Sequence, residues 1–341
     1  MTSWIQGFAR RLWRGDAGVV GRVVSVLLLP LEWAWWFVVT RRNQHFERTA
    51  RVPIGGLQVI SVGNLAVGGT GKTPIASWIV RELAAGGRNP ALLHGGYGMD
   101  EPALHSRWTP DVPVLVERDR VAAAHEALLQ GAGVVVLDDG FQHRRLVRDV
   151  DLVVLAVEDR FPGPLLPRGP YREPVRSLER ADAIVLTRRT ATKREARSLA
   201  EDVRRLVPDV PVIACAHLEP GALRPLGEPS AEPVDAGALG AVLVLTAVGR
   251  PDAVRRGIAD MVGSEVTLRA HADHHLFSES DVLEARRRAG RRAIVVTEKD
   301  AVKLEPFSEE LGVCYVMEQS LRWDWGEDVV RSLIGVEGTA T

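Results

Sequence analysis

The sequence predicts an α/β fold, a mostly parallel sheet with helices on both faces followed by a second, smaller α/β unit. Three observations carry that prediction. Short apolar runs of strand length recur along the chain with helical or loop segments between them, the alternation that builds parallel sheets. A glycine-rich loop, residues 63–71, lies between one such run and a segment with helical spacing. A Pro/Gly-rich stretch at 219–240 divides the runs into a larger and a smaller group.

The elements are read in order. Residues 1–45 form an N-terminal segment expected to associate with a membrane, because 23–40 is almost wholly apolar and carries Trp33, Trp35 and Trp36, side chains favoured at headgroup level. Arginines flank it at 10, 11, 14 and 22 and again at 41 and 42. Pro30 and Glu32 interrupt it, and a clean span needs about 20 apolar residues, so a tilted span and a helix lying in the interface both stand. The competing reading is a buried core helix. No small-residue cleavage site follows the run, which argues against a removed signal peptide.

The main domain is expected over 46–220. Strands are predicted at 57–62, 91–93, 112–116, 134–137, 152–157 and 183–186. Helices are predicted at 73–85, with Ile75, Trp78, Ile79 and Leu83 on one face, and at 120–130 and 192–206. A linker at 221–240 then leads to a domain at 241–335, expected to close a cleft, with strands at 241–248, 265–268, 293–296 and 313–316.

A chain of 341 residues is too long for one small core and fits two such units. The formal net charge of −1 supplies no global field to gather nucleic acid, so no nucleic-acid partner is expected and anion recognition must be local. Cys215 and Cys314 lie far apart in strand-like stretches, which suits buried side chains in a reducing, cytoplasmic setting better than a disulfide.

The loop Gly63-Asn64-Leu65-Ala66-Val67-Gly68-Gly69-Thr70-Gly71-Lys72-Thr73 has the strand-to-helix context of a phosphate-binding loop. Gly68, Gly69, Thr70 and Gly71 would turn backbone N–H groups toward phosphate oxygens, Lys72 would add a mobile cation, and the Thr73 hydroxyl would ligate Mg²⁺. The expected ligand is a nucleoside triphosphate, taken as ATP, with Mg²⁺. The strict spacing wants glycine where Ala66 stands, so Gly68 and Gly69 are expected to take over the turn. Residues 134–140, Val-Val-Val-Leu-Asp-Asp-Gly, are an apolar strand ending in two carboxylates, which makes Asp138 or Asp139 the metal candidate.

Taken in order, the motifs resemble one family, the tetraacyldisaccharide 4′-kinases. They are Ser61 to Asn64 through Gly71-Lys72-Thr73-Pro74, Gly96-Tyr97-Gly98, Asp100-Glu101-Pro102 and Arg118-Asp119-Arg120, then Leu137 to Leu146, Leu166 to Pro174, Asp273-His274-His275 and Thr297 to Leu304. The resemblance implies an ATP-dependent transfer to the 4′-hydroxyl of a glycolipid, the lipid A disaccharide precursor. It implies work on the cytoplasmic face of the bacterial inner membrane, with no obligate protein partner. Asp100 would activate the sugar hydroxyl with support from His274, and Lys72 would act on the phosphates. Thr73, Asp138, Asp139 and Glu173 would form the metal side, and Tyr97, Arg118, Arg120, Gln142, His143 and Arg172 would line the substrate cleft. Only Met99 separates Gly98 from Asp100 where the family has a longer spacer, and His94-Gly95 stands where it usually reads Ser-Arg.

Two other readings are weighed. His271, Asp273, His274 and His275 resemble a metal cluster in composition, but no matched companion ligands are evident, so a histidine paired with a carboxylate is the better expectation. A membrane-tethered nucleotide-hydrolysing switch or metallochaperone would use the same loop and Asp138, yet has no use for the Asp100 and His274 pair.

Overall fold

A computed structural model of the chain describes residues 7–9, 11–13, 15–96, 98 and 100–336. It divides into two compact units, the first made of 1–97, 105–217 and 323–341 and the second of 98–104 and 218–322. Helices α1 (Gly18–Leu27) and α2 (Leu29–Arg48) are followed by β1 (Gln58–Gly63), α3 (Lys72–Ala85), β2 (Pro90–His94), α4 (Asp100–Trp108), β3 (Val114–Val116) and α5 (Arg120–Leu129). Then come β4 (Val134–Asp138), β5 (Val150–Ala156), β6 (Ala183–Arg188), α6 (Lys193–Leu206) and β7 (Val212–Pro225). The remainder is β8 (Val242–Thr246), α7 (Pro251–Val262), β9 (Val266–Ala270), α8 (Glu279–Ala289), β10 (Ala293–Thr297), α9 (Glu298–Leu304), α10 (Ser308–Leu311), β11 (Cys314–Trp325) and α11 (Glu327–Leu333).

In the first unit the strands lie in the order β3-β2-β4-β1-β5-β6-β7, with parallel registers throughout. Both faces are covered, which explains why these strands read as continuous apolar runs and not as alternating ones. Val135 and Leu137 of β4 pack with Val121, Ala124 and Ala127 of α5, whereas Val153 and Leu155 of β5 join Ile184, Leu186 and the α6 residues Ala196, Leu199 and Val203. Strand order reverses at β1, whose neighbours are β4 and β5, and the carboxyl ends of strands at such a switch point are where ligands bind in open α/β sheets. Val62 pairs with Asp138, so the loop leaving β1 and the acidic end of β4 are neighbours.

The second unit has the order β11-β10-β8-β9, again parallel. Alternate residues of β8 and β10 serve two cores. Leu243, Leu245, Ile294 and Val296 pack with α8 and α9 through Val282, Ala285, Ala301 and Leu304, while Val242, Val244, Ala293 and Val295 pack with Ile258 and Val262 of α7. The expected linker at 221–240 differs from this: β7 runs on through Pro225, and Val234 N–H bonds back to the Leu223 carbonyl at 2.9 Å. Its Pro and Gly residues shape a strand end and a return, so the segment belongs to the second unit's packing.

The N-terminal segment is two helices. The chain breaks at Leu28, with Pro30 in the first turn of α2, and bends by 50°. Among the described residues no single helix is long and apolar enough to cross a membrane, although the bent pair meets that test together. Val19, Leu27 and Trp33 are 74%, 70% and 72% exposed, so the core-helix reading fails for this face. The opposite side is tied down: Glu32 pairs with Arg168 and accepts from Leu165 N–H at 2.7 Å, and Trp35 Nε1 donates to the Arg172 carbonyl at 3.0 Å.

Candidate active site

The phosphate-loop candidate leaves β1 and enters α3. Gly68 has φ +116° and Gly71 has φ +92°, conformations that a side chain would strain, and nothing lies within 4 Å of where a Cβ would stand at Gly68 or Gly69. The loop is held from behind. Thr70 is buried, its hydroxyl accepts from Asn64 Nδ2 at 2.7 Å, and its carbonyl accepts from Thr187 Oγ1 at 2.5 Å. Ala66, standing at the strict glycine position, forms an antiparallel bridge with Tyr171 and keeps an ordinary φ, so no glycine is required there and the turn falls to Gly68. Lys72 and Thr73 open α3, where the helix N-terminus adds partial positive charge.

The two carboxylates at the end of β4 have different surroundings. Asp138 is buried, and its Oδ2 is 2.9 Å from His105 Nε2. His105 is itself buried, with Nδ1 2.7 Å from Ser77 Oγ of α3. The arrangement assigns the imidazole N–H to Nε2, facing the carboxylate, and leaves Nδ1 to accept from the serine. Asp138 Oδ1 is buried and has no hydrogen-bond partner among the described residues, which leaves an oxygen for a cation. Asp139 instead has φ +58° and faces cations: Lys72 Nζ is 3.7 Å from Oδ1, and Arg172 grips both oxygens at 2.7 and 2.9 Å. Burial pushes the Asp139 carboxyl up, but Lys72 and Arg172 outweigh it and hold it well below the usual carboxylate range. An all-oxygen set of Asp138, Asp139 and Thr73 beside an open glycine turn fits a hard cation on a polyphosphate.

His143 stands among Arg120, Asp139 and Arg172. Arg120 is buried at the start of α5 and donates to the Glu117 carbonyl. His143 is pushed down to about 4, first by burial and then by the charge of Arg120, so it is neutral near pH 7. Gln142 Nε2 donates to the Asn64 carbonyl at 2.9 Å, which braces the phosphate loop. Arg118 is exposed in the turn before α5. Tyr97 lies outside the described residues. Glu173, expected on the metal side, is held against α2. Its carboxylate is fully buried and is taken up by Asn43 at 3.0 Å, Arg180 at 3.0 Å and Arg42 at 3.3 Å. Asn43 and Arg42 thereby tie α2 to the segment that follows Arg172.

In the second unit, Asp100 opens α4 and is 5% exposed. His274 Nδ1 is 3.0 Å from both of its oxygens. Lys299 and Lys303 of α9 also reach it, at 3.6 and 3.7 Å, and Lys299 bonds Glu101 at 2.9 Å. Burial raises the Asp100 carboxyl, but the His274 bond and Lys299 outweigh it, and the net shift is downward. The same bond raises His274. Gly98, at φ +85°, lets a one-residue spacer bring Asp100 to His274: a Cβ there would stand 2.7 Å from Asp100 Oδ1 and 3.0 Å from His274 Nδ1. Asp300 is buried and ties Thr246 Oγ1 and Ala247 N–H at 2.6 and 2.9 Å, fixing the strand end whose carbonyls receive His271 N–H and His274 N–H.

His105, Ser77, Arg180, Lys299 and Lys303 went unassigned in the sequence. The lysines had a signal, since an i, i+4 pair in Glu-Lys-Asp-Ala-Val-Lys puts both on one helix face. His105 had none. In the first unit a groove of about 700 Å³ runs beside α2, lined by Leu29, Trp33, Trp36, Phe37 and Leu165 with the Glu32 and Arg168 pair in it.

Comparison with known proteins agrees across the chain. A family model described as LpxK, tetraacyldisaccharide-1-P 4′-kinase, matches residues 24–335. Proteins named tetraacyldisaccharide 4′-kinase are 42% identical in an Anaeromyxobacter species, over 87% of each chain, and 36% identical in Syntrophobacter fumaroxidans, over 94% of this chain and 90% of that one. A crystal structure of LpxK from Aquifex aeolicus in complex with ATP shares the fold, with a TM-score of 0.69 at 24% identity, covering 91% of this chain and 98% of that one.

Proposed function

Because the chain belongs to the tetraacyldisaccharide-1-P 4′-kinase family, we propose that it transfers the γ-phosphoryl group of ATP to the 4′-hydroxyl of the tetraacyldisaccharide 1-phosphate precursor of lipid A. The observation that carries this reading is the family match over residues 24–335. The nucleotide-switch reading finds no counterpart in the names of the relatives.

Phosphoryl transfer through a loose transition state asks little covalent chemistry of the protein and much positioning and charge. On this reading Gly68 to Gly71 cradle the phosphates. Lys72, held on Asp139 at 3.7 Å in the free protein, exchanges that carboxylate for phosphate oxygens. Asp138 and Thr73, with Asp139 once Lys72 leaves it, would hold Mg²⁺, which would neutralise charge on the phosphates. Arg172 and neutral His143 complete the phosphate side. Asp100 orients the acceptor hydroxyl and takes its proton. A carboxylate kept ionised by His274, Lys299 and Lys303 is a weak base, which suffices when the hydroxyl proton departs late.

The exposed tryptophans and valines of α1 and α2 support attachment to the membrane surface, on the cytoplasmic face of the inner membrane where the nucleotide is available. The apolar groove beside α2 suits acyl chains. The test is direct. Incubation with the tetraacyldisaccharide 1-phosphate and Mg-ATP should add one phosphoryl group to the lipid, read by mass spectrometry. ATP turnover that is independent of the glycolipid, with the lipid mass unchanged, would overturn the reading.

A further inference from the structure

Beyond Asp100 and His274, the second unit carries a cluster that the kinase reading does not use. His271 and His275 are four residues apart in the segment between β9 and α8, and Asp281 lies in the first turn of α8. Their ligand atoms all fall within 4.8 Å of one another. The two imidazoles stack with centroids 4.5 Å apart and planes 21° from parallel, and Phe277 packs edge-on against both at 5.4 and 5.5 Å.

The available atoms suit a metal. His271 is nine-tenths buried, yet neither ring nitrogen is tied to protein: Nε2 has no hydrogen-bond partner among the described residues, and Nδ1 stands 4.0 Å from Asp281 Oδ1, beyond hydrogen-bond range. His275 Nε2 is 3.0 Å from Asp281 Oδ2. With one ligand atom from each residue the set spans at most 4.8 Å, so modest side-chain rotation reaches the separations of about 3.3–3.4 Å that ligands about 2.0–2.1 Å from a tetrahedral Zn²⁺ require. The carboxylate is oriented as metal ligands usually are, since Ser278 N–H and Oγ–H donate to Asp281 at 2.9 and 2.7 Å. The spacing went unrecognised in the sequence because Asp281, ten residues after His271, belongs to the capping box of a different element.

We propose that His271, His275 and Asp281 form a binding site for one divalent transition-metal ion of the Zn²⁺ class, leaving one coordination position open. Binding through His275 Nε2 uses the neutral tautomer, with the ring proton on Nδ1 and the Nε2 lone pair turned from the carboxylate hydrogen bond to the metal. The segment that this ion clamps carries His274 between the two imidazole ligands. This inference is independent of the kinase reading and of Mg²⁺, which prefers an all-oxygen shell.

The test titrates Zn²⁺ into the full chain by calorimetry in excess Mg²⁺, with Co²⁺ as a spectroscopic probe. The wild type should bind one equivalent, with visible Co²⁺ bands of tetrahedral intensity. His271→Gln and His275→Gln should each weaken binding at least about tenfold and lose those bands. Melting curves without metal serve as the fold control. Asp281→Asn, which keeps the Ser278 cap, supplies a third variant should either glutamine form misfold. Absence of a Zn²⁺ equivalent in the wild type, or wild-type affinity in any folded variant, overturns the proposal.

Discussion

His105 Nε2 lies 2.9 Å from Asp138 Oδ2, and through this bond a residue of α4 orients the carboxylate at the end of β4 while the other oxygen stays buried and unpartnered. His105→Gln should loosen that orientation without removing either carboxylate. The Mg²⁺ concentration for half-maximal activity should rise about 10- to 100-fold, as for the loss of an outer-shell partner. An unmoved magnesium titration would show that Asp138 is not the metal-side group.

Lys72→Ala should cut phosphoryl transfer by at least about 10²-fold and leave the melting temperature nearly unchanged, because Lys72 is partly exposed and sits in no core. Near-normal turnover would remove the phosphate-loop assignment.

Asp100→Asn and His274→Gln should each lower kcat by about 10²-fold with little change in ATP affinity, and the double variant should cost much less than the product. The pair also has a pH signature. Asp100 is lowered from 3.8, so its contribution is lost as pH falls through its folded value; His274 is raised from 6.5, so its share is fully present below 6.5 and lost as pH rises through its folded value. The coupling in stability should therefore be largest near pH 5 to 6 and decay in alkali. A coupling that grows above pH 8 would contradict the ion pair.

Glu173→Ala should destabilise by the order of 3 kcal/mol, since it removes a buried carboxylate from Arg180 and Asn43, and it should leave the Mg²⁺ requirement unchanged. A raised Mg²⁺ requirement with unchanged melting would support the metal-side role expected from the sequence.

Removing residues 1–40 should increase solubility and reduce transfer to lipid in vesicles more than transfer to a short-chain acceptor, because surface confinement raises local acceptor concentration without altering chemistry. Equal losses on both acceptors would mean that α1 and α2 shape the active site.

Much of this was legible in the sequence for definite reasons. Strands buried on both faces announce themselves as apolar runs, so β1, β4, β5 and β6 were found, and glycines in forced conformations marked the phosphate loop. Helix α4 was not found: nine residues opening on Asp-Glu-Pro, with low amphipathicity, give no periodic signal. With α4 went His105, whose role depends on a contact 33 residues away. The surroundings of Glu173 were not legible for a related reason. An acidic residue beside a site looks alike in sequence whether its partners are a metal or three buried donors.

The adjacency of Arg172 and Glu173 has a practical consequence for making a tractable form of this protein. One side chain grips Asp139 beside the phosphate loop, and the next holds Arg42 and Asn43 of α2. A shortened chain beginning near residue 41 discards the greasy face but keeps the last turns of the helix that neutralise Glu173. Starting instead at residue 50 would strip Arg42 and Asn43 from that carboxylate one peptide bond away from Arg172, and a soluble product of that kind could be inactive for reasons unconnected with the membrane.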